Sequence, residues 1–176
     1  DMGYGHERAA FGLEELAEGG VIVANRYKGI PEKEKKLWAR NRELYETISR
    51  LQGLPWIGDK IFGLMDRFQR IPSFYPRRDL SKWNLQIAEI YYLIHHGLCK
   101  HLIESLSRHP IPLVCTFFVP AYAAEVHGYP GDIYLVICDT DVFRTWAPLD
   151  PKQSRIKYLA PNGRVVERLK LYGVPE

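Results

Sequence analysis

The sequence predicts an α/β fold, a Rossmann-like parallel sheet with helices on both faces. Short continuous apolar runs, such as Leu113–Val119 and Ile133–Cys138, are typical of strands that are buried on both faces. Helical patterns separate these runs, and this alternation indicates a parallel sheet. With 176 residues, the chain is long enough for one domain, residues 1–176, and short for two.

The first third of the chain predicts two helices and a strand. Apolar residues recur at helical spacing over 6–18, and two glycines end this helix. The apolar run Val21–Ala24 predicts a short buried strand. Pro31 opens a charged helix over 31–52, whose charge run Glu32–Lys36 forms a solvated face. Because the first helix begins at once, we expect a strand before it that this sequence does not contain.

The middle of the chain is punctuated by proline and glycine. We expect residues 53–80 to form an irregular insertion or lid, with a short helix at about 59–70. A long helix is predicted from Ser81, a plausible N-cap, to Ser107. The remaining predicted elements are a strand over 113–119, a helix over 121–128, strands over 133–138 and 156–159, and a helix over 162–173.

Charge and cysteine usage exclude some classes of protein. A formal net charge of +3 is too small to indicate nucleic-acid binding without clustered cations. Cys99, Cys115 and Cys138 each lie in an apolar stretch, which predicts buried, reduced thiols in a cytoplasmic protein. His95 and Cys99 are four residues apart, but two ligands do not make a metal site, and we predict none.

The first ten residues contain a glycine turn. Gly3 and Gly5 precede a helix, and such a turn lets a ligand approach the backbone near free N–H groups. In open α/β sheets, ligands bind at the carboxyl ends of the strands. His6 would stand at the mouth of this crevice, where an imidazole can act as a general base. Arg8 replaces the third glycine of a dinucleotide fingerprint, so this is not an NAD site.

The turn Gly3-x-Gly5-His6-x-x-Ala9-Ala10 resembles the one that opens the N-terminal domain of GT-B glycosyltransferases. The nearest pattern is that of the monogalactosyldiacylglycerol synthase and processive diacylglycerol glucosyltransferase group, and the MurG type is more distant. Downstream, a strand ending in Thr140-Asp141, the aromatic Trp146, a strand ending in Pro161 and a helix ending in Gly-x-Pro resemble the same group.

The resemblance implies the acceptor-side half of a two-domain enzyme for inverting transfer. The donor, a UDP-sugar, would be bound mainly by a C-terminal domain beyond Glu176, with no metal or other cofactor. His6 would be the base that deprotonates the acceptor hydroxyl. The substrate-binding residues would be Gly3, Tyr4, Gly5, Asp139, Thr140 and Trp146.

Two departures from the family pattern keep other functions open. The family's Thr-Asp strand end is followed by a histidine near the cleft, whereas Arg144 and Trp146 follow here. The Thr-His-Pro end of an earlier strand is Phe118-Val119-Pro120 in this chain. The alternatives are therefore a GT-B-like protein kept for binding or regulation, and a sugar-nucleotide epimerase.

Two further groups of residues are candidate sites. Asp139 and Asp141 end a predicted strand, where functional carboxylates collect in doubly wound folds, and Asp141 could orient His6 as part of the catalytic group. The alternative is a polar loop that caps backbone N–H groups. Apolar residues and cations interleave over 54–78, which suits peripheral contact with the inner face of a membrane; a lid packed on the core is the alternative. The membrane-surface candidates are Trp56, Phe62, Arg67 and Arg70.

Overall fold

The computed structural model describes residues 4–51 and 71–176. Its helices are α1 (Gly5–Phe11), α2 (Glu32–Leu51), α3 (Leu85–His95), α4 (Lys100–Leu106), α5 (Phe118–Val126) and α6 (Gly163–Leu171), and its strands are β1 (Leu113–Cys115), β2 (Ile133–Val136) and β3 (Lys157–Leu159). Single 3-10 turns lie at Glu14–Leu16 and Arg144–Trp146. The predicted helix over 59–70 lies outside the described residues.

The strands form a parallel sheet in the order β1-β2-β3. This confirms the predicted α/β class with a parallel sheet. The two faces of the sheet differ: Ile133 and Leu135 of β2 are fully buried, whereas Val114 is 49% exposed and Leu159 50% exposed on the opposite face. The second face is therefore less covered than the continuous apolar runs predict.

The predicted strands are longer than the observed ones. β1 ends at Cys115, and α5 already begins at Phe118, because the chain bends after the strand and Phe117 is the last extended residue. Pro120 lies in the first turn of α5, where the missing N–H costs nothing. β2 ends at Val136, so the chain from Cys138 onward is loop at the carboxyl edge of the sheet.

The helix predicted over 81–107 is two helices. Asn84, not Ser81, is the N-cap of α3, and its side chain accepts a hydrogen bond of 3.0 Å from the backbone N–H of Ile87. The break between α3 and α4 has Gly97 at φ 106° and Cys99 at φ 59°. These left-handed residues end one helix and begin another, so His95 and Cys99 do not share a helix face.

The N-terminal predictions were partly wrong. The first helix ends at Phe11 rather than at residue 18, and it has no buried residue. The run Val21–Ala24 forms no strand, and Ile22 is 48% exposed. An apolar run becomes a strand only where a neighbouring strand pairs with it, and none of the described strands does so here. The helix predicted over 31–52 is confirmed as α2.

The core of the described chain lies between α3, α5, the sheet and α6. Apart from Ile30, its buried apolar residues all lie between Ile87 and Tyr172. Three fully buried alanines of α5, at 121, 123 and 124, allow the helix to pack closely on the sheet. Cys99 and Cys115 are buried free thiols, as predicted, but Cys138 is exposed because it follows the end of β2.

Candidate functional site

His6 lies at the carboxyl end of β1. It stands in the first turn of α1, and its backbone carbonyl accepts a hydrogen bond of 2.8 Å from Oγ1 of Thr116. Thr116 is the residue that directly follows β1. The glycine turn and the strand end therefore meet at the sheet edge where α/β proteins bind ligands.

The His6 imidazole packs against two aromatic rings that also contact each other. Its centroid lies 5.2 Å from that of Phe117 and 5.6 Å from that of Trp146, and both ring pairs are tilted. The Nδ1 atom of His6 is buried and has no hydrogen-bond partner in the described part of the chain. Aromatic packing, rather than a hydrogen bond through Nδ1, therefore holds the ring in its orientation.

Trp146 packs against His6 from inside the core and is closed to solvent. It is only 1% exposed, and its ring meets Phe118 edge-on at 5.2 Å. Its carbonyl accepts a hydrogen bond of 2.9 Å from the hydroxyl of Tyr158. Because Trp146 is buried, it would affect a ligand only indirectly, through its contacts with the rings of His6 and Phe117.

The glycine turn leaves room at this edge. Tyr4 precedes α1 and is 63% exposed. A Cβ atom added to Gly5 would meet nothing within 4 Å, so the described chain leaves the space over this backbone empty. Gly3 lies outside the described residues.

Asp141 is bound to α6 and not to His6. Its carboxylate accepts hydrogen bonds from Nε of Arg164 at 2.7 Å, from Nε of Arg168 at 3.0 Å and from the backbone N–H of Val142 at 2.9 Å. Burial of the carboxyl raises its pKa, but the hydrogen bonds from the two arginines outweigh burial and hold the pKa below its ordinary value. This carboxylate anchors the last helix to the loop after β2.

Buried arginines brace the surroundings of the site. Arg168 has a fully buried side chain, and its guanidinium lies 4.1 Å from the ring centroid of Phe74. Arg144, at one of the positions where the resemblance departs from its pattern, is 7% exposed and donates to the carbonyls of Ser81, Ala147 and Pro148. Burial lowers the pKa of Arg144. Arg144 therefore ties a loop together rather than facing a ligand.

Asp139 and Thr140 are the exposed members of the same loop. The carbonyl of Thr140 accepts a hydrogen bond of 3.2 Å from the side chain of Asn162, the N-cap of α6. The Asp139 carboxylate is exposed at the carboxyl edge of β2, the strand next to β1. Of the two predicted carboxylates, Asp139 is the exposed one.

A second polar cluster joins α2 to α4. Glu34 is 4% exposed, and its Oε1 accepts a hydrogen bond of 2.6 Å from the backbone N–H of His101 in the first turn of α4. The hydroxyl of Tyr27 lies 2.9 Å from Nδ1 of His101. Burial, and then the negative charge of Glu34, raise the pKa of Tyr27. The cluster fixes the chain before α2 against the core.

Two cavities of the described chain lie away from His6. One of about 460 Å³ lies between β3, α6 and the last residues, and another of about 270 Å³ lies between α2 and α4.

Among residues 4–51 and 71–176, no three His, Cys, Asp or Glu side chains form a group that could hold a metal ion. Within the same residues, no helix is both long and apolar enough to cross a bilayer. The membrane-surface candidates Trp56, Phe62, Arg67 and Arg70 lie outside the described residues.

No known family matches the chain. Comparison with protein-family models, with curated proteins and with solved structures finds no significant match. The likeness to GT-B glycosyltransferases therefore depends on the residues that carry it, and its functional content stays a prediction.

Sequence reasoning missed the residues that hold His6 in place. Thr116 and Phe117 lie inside the strand predicted over 113–119, which ends at Cys115 in the structure. The argument that placed His6 at the carboxyl edge therefore did not reach them. It also missed the partners of Asp141. Arg164 and Arg168 are four residues apart in the predicted last helix, so the pattern of a two-arginine clamp was present in the sequence.

Proposed function

We propose that this chain is the acceptor-binding half of an inverting, sugar-nucleotide-dependent glycosyltransferase with His6 as its general base. The observation that carries the proposal is the place of His6, in the first turn of α1 at the carboxyl end of β1, with its ring packed against those of Phe117 and Trp146. Aromatic neighbours limit the access of water to an imidazole, which strengthens its electrostatic interactions with a reacting group. The open space over Gly5 leaves room for an acceptor.

In the proposed reaction, a ring nitrogen of His6 takes the proton of the acceptor hydroxyl. The acceptor oxygen then attacks the anomeric carbon of the donor sugar. The bond from that carbon to the phosphate oxygen breaks on the opposite side, so the configuration inverts and a nucleoside diphosphate, UDP for a UDP-sugar, leaves. We place the donor on a further C-terminal domain, the whole enzyme in the cytoplasm, and a peripheral membrane contact on the 54–78 segment.

We also propose that the sheet of the GT-B half has one more strand beside β1. That edge of β1 has no partner among the described strands. Since Thr116 bonds to the carbonyl of His6, a strand that runs parallel to β1 and leads into the glycine turn would continue the sheet.

The test is transfer by the full-length protein with His6→Ala. Loss of the general base should lower the transfer rate by about 100-fold or more. His109→Ala is the matched control, because His109 is an exposed histidine that precedes β1 at the opposite end of the sheet, and its rate should be unchanged. Near-normal transfer by the His6 variant would remove the proposed role.

A binding or regulatory protein of the same fold is the second candidate. Two observations favour it: Asp141 is engaged by two arginines, and Nδ1 of His6 has no partner among the described residues. A catalytic histidine is commonly oriented by a carboxylate. This candidate predicts that the intact protein binds a UDP-sugar in a thermal-shift measurement but shows no transfer to any acceptor.

A further inference from the structure

We infer that Thr116 is the positioning residue of the site, and that its hydroxyl keeps the His6 ring packed against Phe117 and Trp146. The inference concerns the same site as the proposed function. A catalytic role for the positioning of His6 rests on that proposed function. The placement of the ring can be measured without any reaction, so the two can fail separately.

The first step of the argument is that burial does little to hold α1. The helix has no buried residue, and Phe11 at its end is 47% exposed. Glu7 pairs with Arg26 at 2.6 Å. Arg26, however, belongs to residues 4–29, none of which is buried. The hydrogen bond from Thr116 ties the turn directly to the end of a strand in the core.

The second step is that the His6 ring has no hydrogen bond of its own through Nδ1. That atom is buried without a partner in the described residues, so the ring is placed by its backbone and by packing on two aromatic neighbours. A shift of the backbone therefore moves the ring. Because Thr116 and Phe117 are adjacent, the two residues after β1 control both the backbone position of His6 and one of the rings that its side chain packs against.

The experiment is NMR of the full chain with labelled histidine and without substrate. Ring currents of Phe117 and Trp146 should displace the ring signals of His6 from those of the exposed His109. His6→Gln identifies the signals by their loss. Thr116→Val removes the hydroxyl and keeps the shape, and Thr116→Ser keeps the hydroxyl.

Ser107→Ala is the matched control. Its hydroxyl also donates to a backbone carbonyl, that of Ile103 at 2.7 Å, but it lies at the end of α4. We expect Thr116→Val to move the His6 signals toward those of His109, whereas Thr116→Ser and Ser107→Ala leave them in place. If Thr116→Val does not fold, Thr116→Ala replaces it with the same expectations.

Unmoved His6 signals in a folded Thr116→Val or Thr116→Ala protein would overturn the inference. So would a Thr116→Ser protein that shifts as far as the valine variant. In a transfer assay, Thr116→Val should lower kcat by on the order of 100-fold, the effect of a small misplacement of a reacting group, with the KM of the donor unchanged. Moved signals in a protein that transfers no sugar would reject the proposed function and leave the positioning intact.

Discussion

Different interactions hold the N-terminal segment, residues 4–29, and the sheet-bearing part, residues 85–172. None of residues 4–29 is buried, whereas the sheet-bearing part contains nearly all of the buried apolar residues of the described chain. The segment is held by a few polar contacts, such as Thr116 with His6 and Tyr27 with His101, and by the packing of the His6 ring on two aromatic rings. The comparison teaches that the candidate reactive group sits on the loosely packed part and is aligned by the well-packed one.

This division predicts a difference in local stability. Regions with few buried contacts open at low free energy, whereas the core opens with global unfolding. Substitutions in the sheet-bearing part should therefore change global stability, and substitutions in the segment should change only local opening. The predictions below test this division, from the largest expected effect to the smallest.

Asp141→Ala should destabilise the protein by about 3–5 kcal/mol, because it leaves the buried guanidinium of Arg168 without its carboxylate. Urea unfolding measures the change. Asp139→Ala is the control, since that carboxylate is exposed two residues earlier in the same loop, and its effect should stay within about 0.5 kcal/mol. Equal effects of the two variants would contradict the role of Asp141 as an anchor.

The contribution of Asp141 should depend on pH. Its pKa in the folded protein lies below the ordinary value, so its stabilisation is complete above the unfolded pKa, about 3.9, and is lost as the pH falls through the folded pKa. Unfolding free energies of wild type and Asp141→Asn should therefore differ at pH 6 and converge in acid. A difference that stays constant down to pH 2 would show that protonation of Asp141 is not linked to folding.

Leu135→Ala should cost about 2–5 kcal/mol, because Leu135 is fully buried in the central strand. Leu159→Ala is the matched variant on the opposite face of the neighbouring strand, where the side chain is 50% exposed, and it should cost clearly less. Thermal and urea unfolding of both variants measure the difference. Equal costs would mean that the second face is as well packed as the first.

Tyr27→Phe should lower the free energy of local opening of the N-terminal segment by about 0.5–1.5 kcal/mol, because it removes the hydrogen bond to His101. Native-state hydrogen exchange should show faster opening around Tyr27 with unchanged protection in β2. Leu16→Ser, at an 85% exposed position of the same segment, should stay within about 0.5 kcal/mol. Equal loss of protection in β2 and in the segment would show that the two parts unfold together.

The parallel sheet could be predicted from sequence because buried strands have a local signature. The runs that became β1 and β2 are apolar without alternation, a pattern that predicts buried strands; it located the strands, although Val114 of β1 is 49% exposed on the second face. The same signature failed at Val21–Ala24, because it records hydrophobicity and not the presence of a pairing strand. Strand existence depends on neighbours that may be distant in sequence.

Long-range contacts account for most of what the sequence did not predict at the site. The placement of His6 beside the end of β1 followed from the fold class and agrees with the structure. That Asp141 would pair with α6 and not with His6 depends on how the last helix packs, which no local pattern specifies. The break at Gly97 was visible as a glycine within a helical pattern, a signal that favours a helix end.

The uneven burial of the three cysteines gives the protein a natural place for a chemical label. Cys99 and Cys115 are enclosed, whereas Cys138 is exposed near the carboxyl end of β2. Burial and the nearby Asp139 raise the pKa of the Cys138 thiol, so alkylation should be slow at neutral pH and faster in mild alkali. A fluorophore attached there would lie at the same carboxyl edge of the sheet as His6, and a change in its emission on addition of a UDP-sugar would test the proposed function without any mutation of the chain.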